Sequence, residues 1–325
     1  MNSDGKRHIG KGDWIRVGKG GTGKPCEICE GPDYCSVSED GTTAWCMRTP
    51  NDHPKESALG TGYIHKLKDT PHEFHPIIRT PTKRKPTDSE RHVKLAPLCR
   101  AWFVRRGDAI ERLAVVLGVA PWALDLLHVG WNADERCWTF PEQNHLGQIV
   151  GCNRRFEDGS KRGVFGGGRG LSYAEYWLDY RGPIFIVEGG SDVAAGLTLG
   201  LCAVGRPSNT GGVCYLAKLI GATESDRRAI ILAERDEKDR STLNDRHPSG
   251  CQCCGQCYPG KFGAIQTSIA LSRKLDRIVE WSFLPDGAKD LRGWLNGKQL
   301  DPTNETAMKR LSASLIRRIG HGIKI

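Results

Sequence analysis

The stretch GPIFIVEGGSD, residues 182–192, holds a run of four apolar residues that ends in Glu188 and is followed by two glycines. A continuous apolar run closed by glycines is typical of a strand that is buried on both faces of a sheet. Similar runs follow, and stretches with a helical pattern separate them, which predicts βαβ units around a parallel sheet. These runs are LCAV (201–204), AIILA (229–233) and RIVEWSF (277–283).

Carboxylates stand at the ends of two of these predicted strands. Glu188 ends the first strand, and Glu234 and Asp236 follow the strand at 229–233. The carboxyl ends of parallel strands are where such sheets build their sites. Residues two apart on an extended segment share a face, so we expect Glu234 and Asp236 to present two oxygens to one hard cation such as Mg²⁺. Spacing alone leaves a solvated acidic strand end as the alternative interpretation.

Four cysteines near the start of the chain have the spacing of metal ligands. Cys26, Cys29, Cys35 and Cys46 form a CxxC pair followed by two further thiols within about twenty residues. Four soft ligands close a tetrahedral structural zinc site, and a small ribbon with little apolar core depends on such a metal to fold. The pattern predicts Zn²⁺ here, with His53 as an alternative ligand.

The chain has 13 cysteines in all, an odd number that does not suit a disulfide framework. Four of them lie within a polar stretch close to His247, and either a second zinc site or a redox or unligated cysteine loop fits that pattern. This late group consists of Cys251, Cys253, Cys254 and Cys257. The five scattered cysteines are expected to pack in the core. They are Cys99, Cys137, Cys152, Cys202 and Cys214.

The chain has 325 residues, and its 47 Lys and Arg residues exceed its 38 Asp and Glu residues, for a formal net charge of +9. This excess favours a polyanionic partner. No apolar run reaches the roughly 18 residues of a membrane span, and the polar start MNSDGKRHIG lacks the apolar core of a signal peptide. We therefore expect a cytoplasmic protein with no membrane partner.

Changes in composition predict how the chain is divided. Residues 94–130 have a helical pattern, with Leu113, Val116 and Leu117 on one face and Gly118 as a stop, and residues 131–180 have an antiparallel strand pattern. The predicted segments are a flexible basic arm (1–20), a zinc ribbon (21–60), an extended linker (61–93), a basic α+β subdomain (94–180), a parallel-sheet domain (181–300) with a Cys-rich insert (239–260), and a C-terminal helix or tail (301–325).

The order of the acidic motifs resembles a TOPRIM domain, the catalytic fold shared by bacterial-type primases, topoisomerases and some nucleases. The resemblance implies that Glu188 is the family's glutamate after the first strand. It also implies that Glu234 and Asp236 are its DxD pair, with Glu in place of the first Asp, and that Asp239 is an additional metal-binding acid. The ending PDGAKD, residues 285–290, resembles the phage and plasmid primase version of the domain.

Two further regions resemble the primase branch of this family. Residues 138–171 resemble the basic subdomain that precedes TOPRIM in primases, and a zinc ribbon precedes that subdomain in turn. The implied fold is α/β, with a TOPRIM parallel sheet preceded by a mixed α+β basic subdomain and a small N-terminal zinc ribbon. The nucleic-acid-binding residues that it implies are Arg154, Arg155, Lys161 and Arg162.

The resemblance implies an enzyme of DNA replication that synthesises short RNA primers. It would join ribonucleoside triphosphates on a single-stranded DNA template by nucleotidyl transfer that depends on Mg²⁺ or Mn²⁺, with Glu188, Glu234 and Asp236 as catalytic residues. The only P-loop-like stretch has Pro25 in place of the hydroxyl residue, so a replicative helicase is expected to be a separate chain. A TOPRIM nuclease and a non-catalytic, zinc-dependent single-stranded DNA-binding replication protein remain as alternatives.

Overall fold

The computed structural model of the chain describes residues 14–18, 21–57, 60–67, 84–223, 227–237 and 257–319, in two compact units, residues 1–83 and 84–325. Most of the predicted basic arm and of the predicted Cys-rich insert lies outside the described residues. Within those residues, no helix has both the length and the apolar character that a bilayer crossing requires.

The first unit is built on one antiparallel sheet with the strand order β1-β2-β3-β5-β4. Its buried apolar cluster consists of Val17 and the thiols of Cys26, Cys35 and Cys46, so most of the cluster is cysteine. Trp45 and Ala44 are the other buried apolar residues described in this unit, so its apolar core is small, and small cores of this kind are typically stabilised by a metal. The strands are β1 (Trp14–Arg16), β2 (Ser36–Ser38), β3 (Thr43–Cys46), β4 (Pro54–Ser57) and β5 (Gly60–Lys66).

The predicted linker at 61–93 is too long at both ends. Strand β5 pairs with both β3 and β4, so residues up to Lys66 belong to the sheet. In the second unit, helix α1 (Asp88–Val104) begins before residue 93, because Thr87 and Glu90 form a capping box that satisfies the first free N–H groups. Residues 68–83 lie outside the described part of the chain.

The second unit begins with three helices and an antiparallel sheet in the order β6-β7-β8-β9, as the sequence pattern predicts. Gly118 caps the C-terminus of helix α2 in a left-handed conformation, with a φ of 65°, which residues that carry a side chain disfavour. Of the three residues predicted to share one face, Leu113 and Leu117 are buried and Val116 is exposed. These elements are α2 (Ala109–Leu117), α3 (Pro121–Leu126), β6 (Gly130–Asn132), β7 (Cys137–Gln143), β8 (Ile149–Phe156) and β9 (Lys161–Gly163).

A four-stranded parallel sheet with the order β11-β10-β12-β13 follows, and its two central strands are buried on both faces. The sequence prediction of a mixed α/β fold with a parallel sheet is confirmed. The elements are β10 (Ile184–Glu188), α4 (Gly190–Thr198), β11 (Cys202–Arg206), α5 (Val213–Gly221), β12 (Ala229–Ala233), α6 (Pro259–Leu275), β13 (Glu280–Phe283), α7 (Leu291–Asn296) and α8 (Glu305–Ile319).

The antiparallel and parallel sheets share one hydrophobic core. Trp138 and Phe140 of β7 belong to the same buried cluster as Phe185 and Val187 of β10. The ion pair between Arg169 and buried Glu142 adds a polar link, because Arg169 also donates a hydrogen bond of 2.6 Å to the Pro207 carbonyl in the loop after β11. Residues on the two sheets therefore keep a fixed relation to one another, which positions the site.

Candidate functional site

The turn from β10 into α4 brings two carboxylates to the carboxyl end of the parallel sheet. Glu188 ends the strand, and Gly189 makes the turn with a φ of +79°, a conformation that side chains disfavour. Gly190 passes so close to Phe140 that a Cβ atom would lie 2.7 Å from its ring. The two glycines therefore allow the helix to start immediately, which places Asp192 in its first turn.

Three acidic side chains meet at this end of the sheet. One carboxylate oxygen from each of Asp192, Glu234 and Asp290 lies within 4.8 Å of the other two. Glu234 was predicted from the sequence, whereas Asp192 and Asp290 were not. Each had a sequence signal, because Asp192 lies one helical turn after the strand-ending Glu188 and Asp290 follows the last predicted strand. We call these three side chains the acidic trio.

Backbone hydrogen bonds hold two members of the acidic trio in place. The carboxylate of Asp192, which is only 5% exposed, accepts a hydrogen bond of 2.9 Å from the Arg292 N–H. Asp290 caps helix α7, with its Oδ1 accepting from the Gly293 N–H at 2.7 Å. Both acids are thus fixed by the same helical turn, although they are about a hundred residues apart in the chain.

Glu188 lies beside the acidic trio and faces a buried cation. Its Oε2 lies 4.0 Å from Nη2 of Arg206, its register partner on β11, and the Arg206 side chain is fully buried. Nε and Nη2 of Arg206 have no hydrogen-bond partner among the described residues. Burial raises the pKa of Glu188, while the charge of Arg206 opposes that rise. Arg206 therefore acts as an internal counter-charge for the acidic end of the sheet.

Asp236 is not one of the acidic trio, although its charge adds to burial in raising the pKa of the neighbouring Glu188. Strand β12 ends at Ala233, so the two-residue alternation does not continue through Glu234 and Asp236. The Oδ1 atom of Asp236 instead accepts a hydrogen bond of 2.7 Å from the N–H of Gly260 in the first turn of α6. Asp239, the additional acid, lies outside the described residues.

Burial and mutual repulsion make the carboxyl groups of the acidic trio hard to ionise. Burial, with the neighbouring charge of Asp290, raises the pKa of Asp192 to about 7. Burial, with the charges of Glu188, Asp192 and Asp290, raises the pKa of Glu234 to about 8. A bound divalent cation would remove this repulsion, and carboxylate oxygens at such separations are the ligands that Mg²⁺ accepts. The donor set therefore fits Mg²⁺ or Mn²⁺.

These pKa values predict how stability depends on pH. The folded protein holds the Glu234 proton up to about pH 8, whereas an unfolded glutamate releases it near its ordinary value of 4.5. The folded state therefore binds more protons in this window, and its stability falls as the pH rises. We expect the Tm in EDTA to fall between these pH values, and we expect Mg²⁺ to raise the Tm more at the upper end, where protons no longer compete.

Thermal denaturation of two matched variants tests this origin. Glu234→Gln should flatten the fall of Tm with pH and weaken the effect of Mg²⁺. Asp286→Asn should leave both unchanged, because ion pairs with Arg318 and Lys298 keep the pKa of Asp286 well below its usual range. Equal slopes for Glu234→Gln and the wild type would show that the acidic trio is not the source.

The hairpin of β8 and β9 presents two different basic faces. In the strand register, Arg155 lies opposite Lys161 and Arg154 lies opposite Arg162. Arg155 and Lys161 line a small cleft together with Gly189, at the turn that carries the first acids. Loss of surrounding water lowers the pKa of each, and the nearby charges of Asp192 and Glu234 partly restore that of Lys161. This inner face therefore borders the acidic trio.

The outer face of the hairpin combines cations with an aromatic ring. Arg154 forms an ion pair with Glu135 and donates a hydrogen bond of 2.9 Å to the Gly163 carbonyl, so its charge is largely used within the fold. The Arg162 guanidinium lies 5.4 Å from the centre of the Phe156 ring, and that of Arg154 lies 6.0 Å from it. Of the two, exposed Arg162 is the better placed to meet a ligand.

The four predicted zinc ligands come together in the first unit. The sulfur atoms of Cys26, Cys29, Cys35 and Cys46 all lie within 4.8 Å of one another. The Cys29–Cys35 and Cys35–Cys46 sulfur distances are 3.7 and 3.8 Å. Zinc–sulfur bonds of about 2.3 Å at tetrahedral angles require sulfur atoms about 3.8 Å apart. The cluster therefore fits zinc without rearrangement, as predicted, while the alternative ligand His53 is exposed outside it.

Arg48 supports the cysteine cluster from outside. Its Nη1 lies 3.6 Å from the Cys29 sulfur and donates a hydrogen bond of 2.9 Å to the Asp33 carbonyl. Burial acts to raise the pKa of Cys29, but hydrogen bonds from Arg48, from the Gly31 backbone and from the neighbouring thiols together lower that pKa to about 7. Gly31 leaves room for this arginine, since a Cβ there would lie 1.9 Å from Nη1. The contact stabilises thiolate, the form that binds metal.

The remaining cysteines divide between the core, the surface and residues outside the described part. Four of the five scattered cysteines are buried as predicted, but Cys214 is exposed. In the late group only Cys257 is described, and it is buried. Cys251, Cys253 and Cys254 lie outside the described residues, so the second zinc site stays a prediction.

No protein-family model matches this chain, and no curated protein matches its sequence. Solved structures do match. The zinc-binding and RNA polymerase domains of the Aquifex aeolicus primase match at 14% identity over 74% of this chain and 63% of that one, less than two thirds of its length, with a TM-score of 0.49. The E. coli primase catalytic core matches at 16% identity, covering 70% and 83%, with a TM-score of 0.45. The primase fragment of the bacteriophage T7 primase-helicase matches at 14% identity, covering 92% and 99%, with a TM-score of 0.36. Each of these three solved structures comes from a bacterial or phage primase.

Proposed function

We propose that this protein is a primase-like nucleotidyltransferase that synthesises short RNA primers on single-stranded DNA. The observation that carries the proposal is the acidic trio at the carboxyl end of a parallel sheet, faced by the basic pair Arg155 and Lys161. Acids that hold a divalent cation and cations that hold phosphate are the two groups that phosphoryl transfer needs. The order of the motifs, which resembles that of TOPRIM primases, supports the same assignment.

The residues have distinct tasks in this proposal. Asp192, Glu234 and Asp290 would hold Mg²⁺, which supplies neutralisation of the charge that develops on the transferred phosphoryl group. Arg155 and Lys161 would bind the triphosphate of the incoming ribonucleotide and orient it towards the acids. Glu188, held by Arg206, would take up the proton of the attacking hydroxyl.

The zinc ribbon has a separate task in the proposal. Closed four-cysteine sites are structural, so the ribbon would hold the DNA template and leave the chemistry to the second unit.

Incorporation of labelled ribonucleotides on single-stranded DNA with Mg²⁺ tests the proposal. We expect oligoribonucleotides from the wild type, and we expect Glu188→Gln to reduce their yield about 10²-fold, the usual contribution of an acid–base group. Glu305→Gln changes an exposed glutamate on α8 in the same way and should retain full activity.

The alternatives give different results in the same assay. Cleavage of the DNA without ribonucleotide incorporation would select a nuclease. Binding of the DNA without either reaction, unchanged in Glu188→Gln, would select a non-catalytic binding protein. Either result would overturn the primase proposal.

A further inference from the structure

Phe165 is the large apolar side chain most exposed to solvent among the described residues, with 93% of its surface accessible. It follows strand β9 and begins the glycine-rich run Phe165-Gly-Gly-Gly168. An aromatic ring that stays in water contributes no burial energy to folding, whereas burying it would stabilise the protein by about 2 kcal/mol. Exposure of this degree makes Phe165 a candidate contact for a ligand.

A rigid turn holds Phe165 in this exposed position. The Gly167 N–H donates a hydrogen bond of 3.1 Å to the Val164 carbonyl, which closes a β-turn, and Gly166 provides the positive φ of 78° that this kind of turn needs. Both ends of the turn are fixed to β8. The Val164 N–H donates to the Cys152 carbonyl at 2.9 Å, and the Gly168 N–H donates to the Val150 carbonyl at 2.7 Å. Phe165 occupies the second position of this anchored turn, so its exposure is built into the backbone.

Positive charge surrounds the turn. Residues 154–169 contain five Arg and Lys residues, and ion pairs of Arg154 with Glu135 and of Arg169 with Glu142 leave Arg155, Lys161 and Arg162 against two acidic residues in this stretch. Arg162 lies three residues before the ring, and the Lys94 ammonium lies 3.1 Å from where a Cβ of Gly166 would stand. A single ring in a cationic setting suits a polyanion that carries flat bases, whereas an apolar protein partner would need a continuous apolar patch.

We propose that Phe165 is a stacking platform for one base of a single-stranded nucleic acid, whose phosphates are held by Arg162 and Lys94. This inference rests on the proposed function and adds to it a named base-binding position in the turn that follows β9. Stacking on an aromatic ring is tolerant of base identity, so the platform would hold the strand in any sequence.

Fluorescence anisotropy with a labelled oligothymidylate, measured without nucleotides, tests the platform. Phe165→Ala should weaken binding about tenfold, and Phe165→Trp should restore it. The slope of log affinity against log salt should stay the same in Phe165→Ala, because no phosphate contact is lost. In Arg162→Gln that slope should become smaller by about 0.7. Leu146→Ala, which removes another exposed apolar side chain from a hairpin turn, is the matched control and should bind as the wild type does.

An oligomer of the same length without bases separates stacking from other effects. On this abasic strand the wild type and Phe165→Ala should bind equally. An equal loss on both strands, or no loss on oligothymidylate, would overturn the proposal and would direct attention to a protein partner for this turn. Primer synthesis is measured separately, so a chain that makes no primers but shows the base-dependent loss would refute the proposed function and leave the platform standing.

Discussion

Asp192→Asn is expected to reduce Mg²⁺-dependent primer synthesis about 10³-fold. The amide has the same shape as the carboxylate, and its oxygen still accepts the hydrogen bond from the Arg292 N–H, so the first turn of α4 keeps its conformation. What disappears is one negative charge of the acidic trio. Charge stabilisation by a metal contributes on the order of several kcal/mol, and about 1.4 kcal/mol corresponds to a tenfold change in rate.

Stability measurements separate this loss from unfolding. Because burial raises the pKa of Asp192 to about 7, the folded state loses stability as the pH rises from the ordinary aspartate value of 3.8 to about 7, and the full loss is present above that pH. The Asn variant should therefore be at least as stable as the wild type in EDTA at pH 8, and it should gain less from Mg²⁺. Asp286→Asn, the same change on an exposed loop before α7, should retain activity. An active Asp192→Asn enzyme, or one that loses activity only by unfolding, would remove Asp192 from the proposed site.

Cys26→Ser together with Cys29→Ser is expected to remove one zinc ion per chain and to unfold the first unit. Metal binding in small zinc modules contributes on the order of 10–16 kcal/mol to folding. Apart from the thiols, the buried apolar residues described in this unit are Val17, Ala44 and Trp45, so little apolar burial is available to replace the metal. Zinc content by atomic absorption and limited proteolysis of residues 14–67 measure the two effects.

The second unit provides the internal comparison for the zinc experiment. Its cores contain no member of the cluster, so its thermal transition should survive in the double variant. Cys214→Ser changes an exposed thiol outside the cluster and should leave zinc content and protease resistance unchanged. A double variant that kept its full zinc content and a resistant first unit would contradict a structural zinc site at these cysteines.

Local patterns predicted the sheets and the cysteine cluster well. The apolar runs around Glu188 identify buried parallel strands, because such strands are covered on both faces and need no alternation. The spacing of the first four cysteines is equally informative, since a short ribbon has few other ways to bring four thiols together. Glu234 could be predicted as a member of the acidic site because it follows a strand directly.

The acids that the sequence did not identify come from helices. Asp192 lies in the first turn of α4 and Asp290 caps α7, and only the packing of these helices brings them to Glu234. For Asp236, a rule for extended chain was applied to a residue three positions beyond the end of β12, where the alternation of the strand no longer holds. The ion pair of Arg154 with Glu135, which neutralises the charge of Arg154, is likewise a tertiary contact that a local sequence pattern does not predict.

The core shared by the two sheets of the second unit has a consequence for modularity. Trp138 and Phe140 of β7 pack with Phe185 and Val187 of β10. A fragment that began at residue 181 would therefore leave the apolar side of β10 uncovered, and the basic hairpin cut away from it would lose its support. A fragment that contained the acidic sheet alone would lack part of its hydrophobic core. The basic hairpin and the acidic sheet therefore form one folding unit.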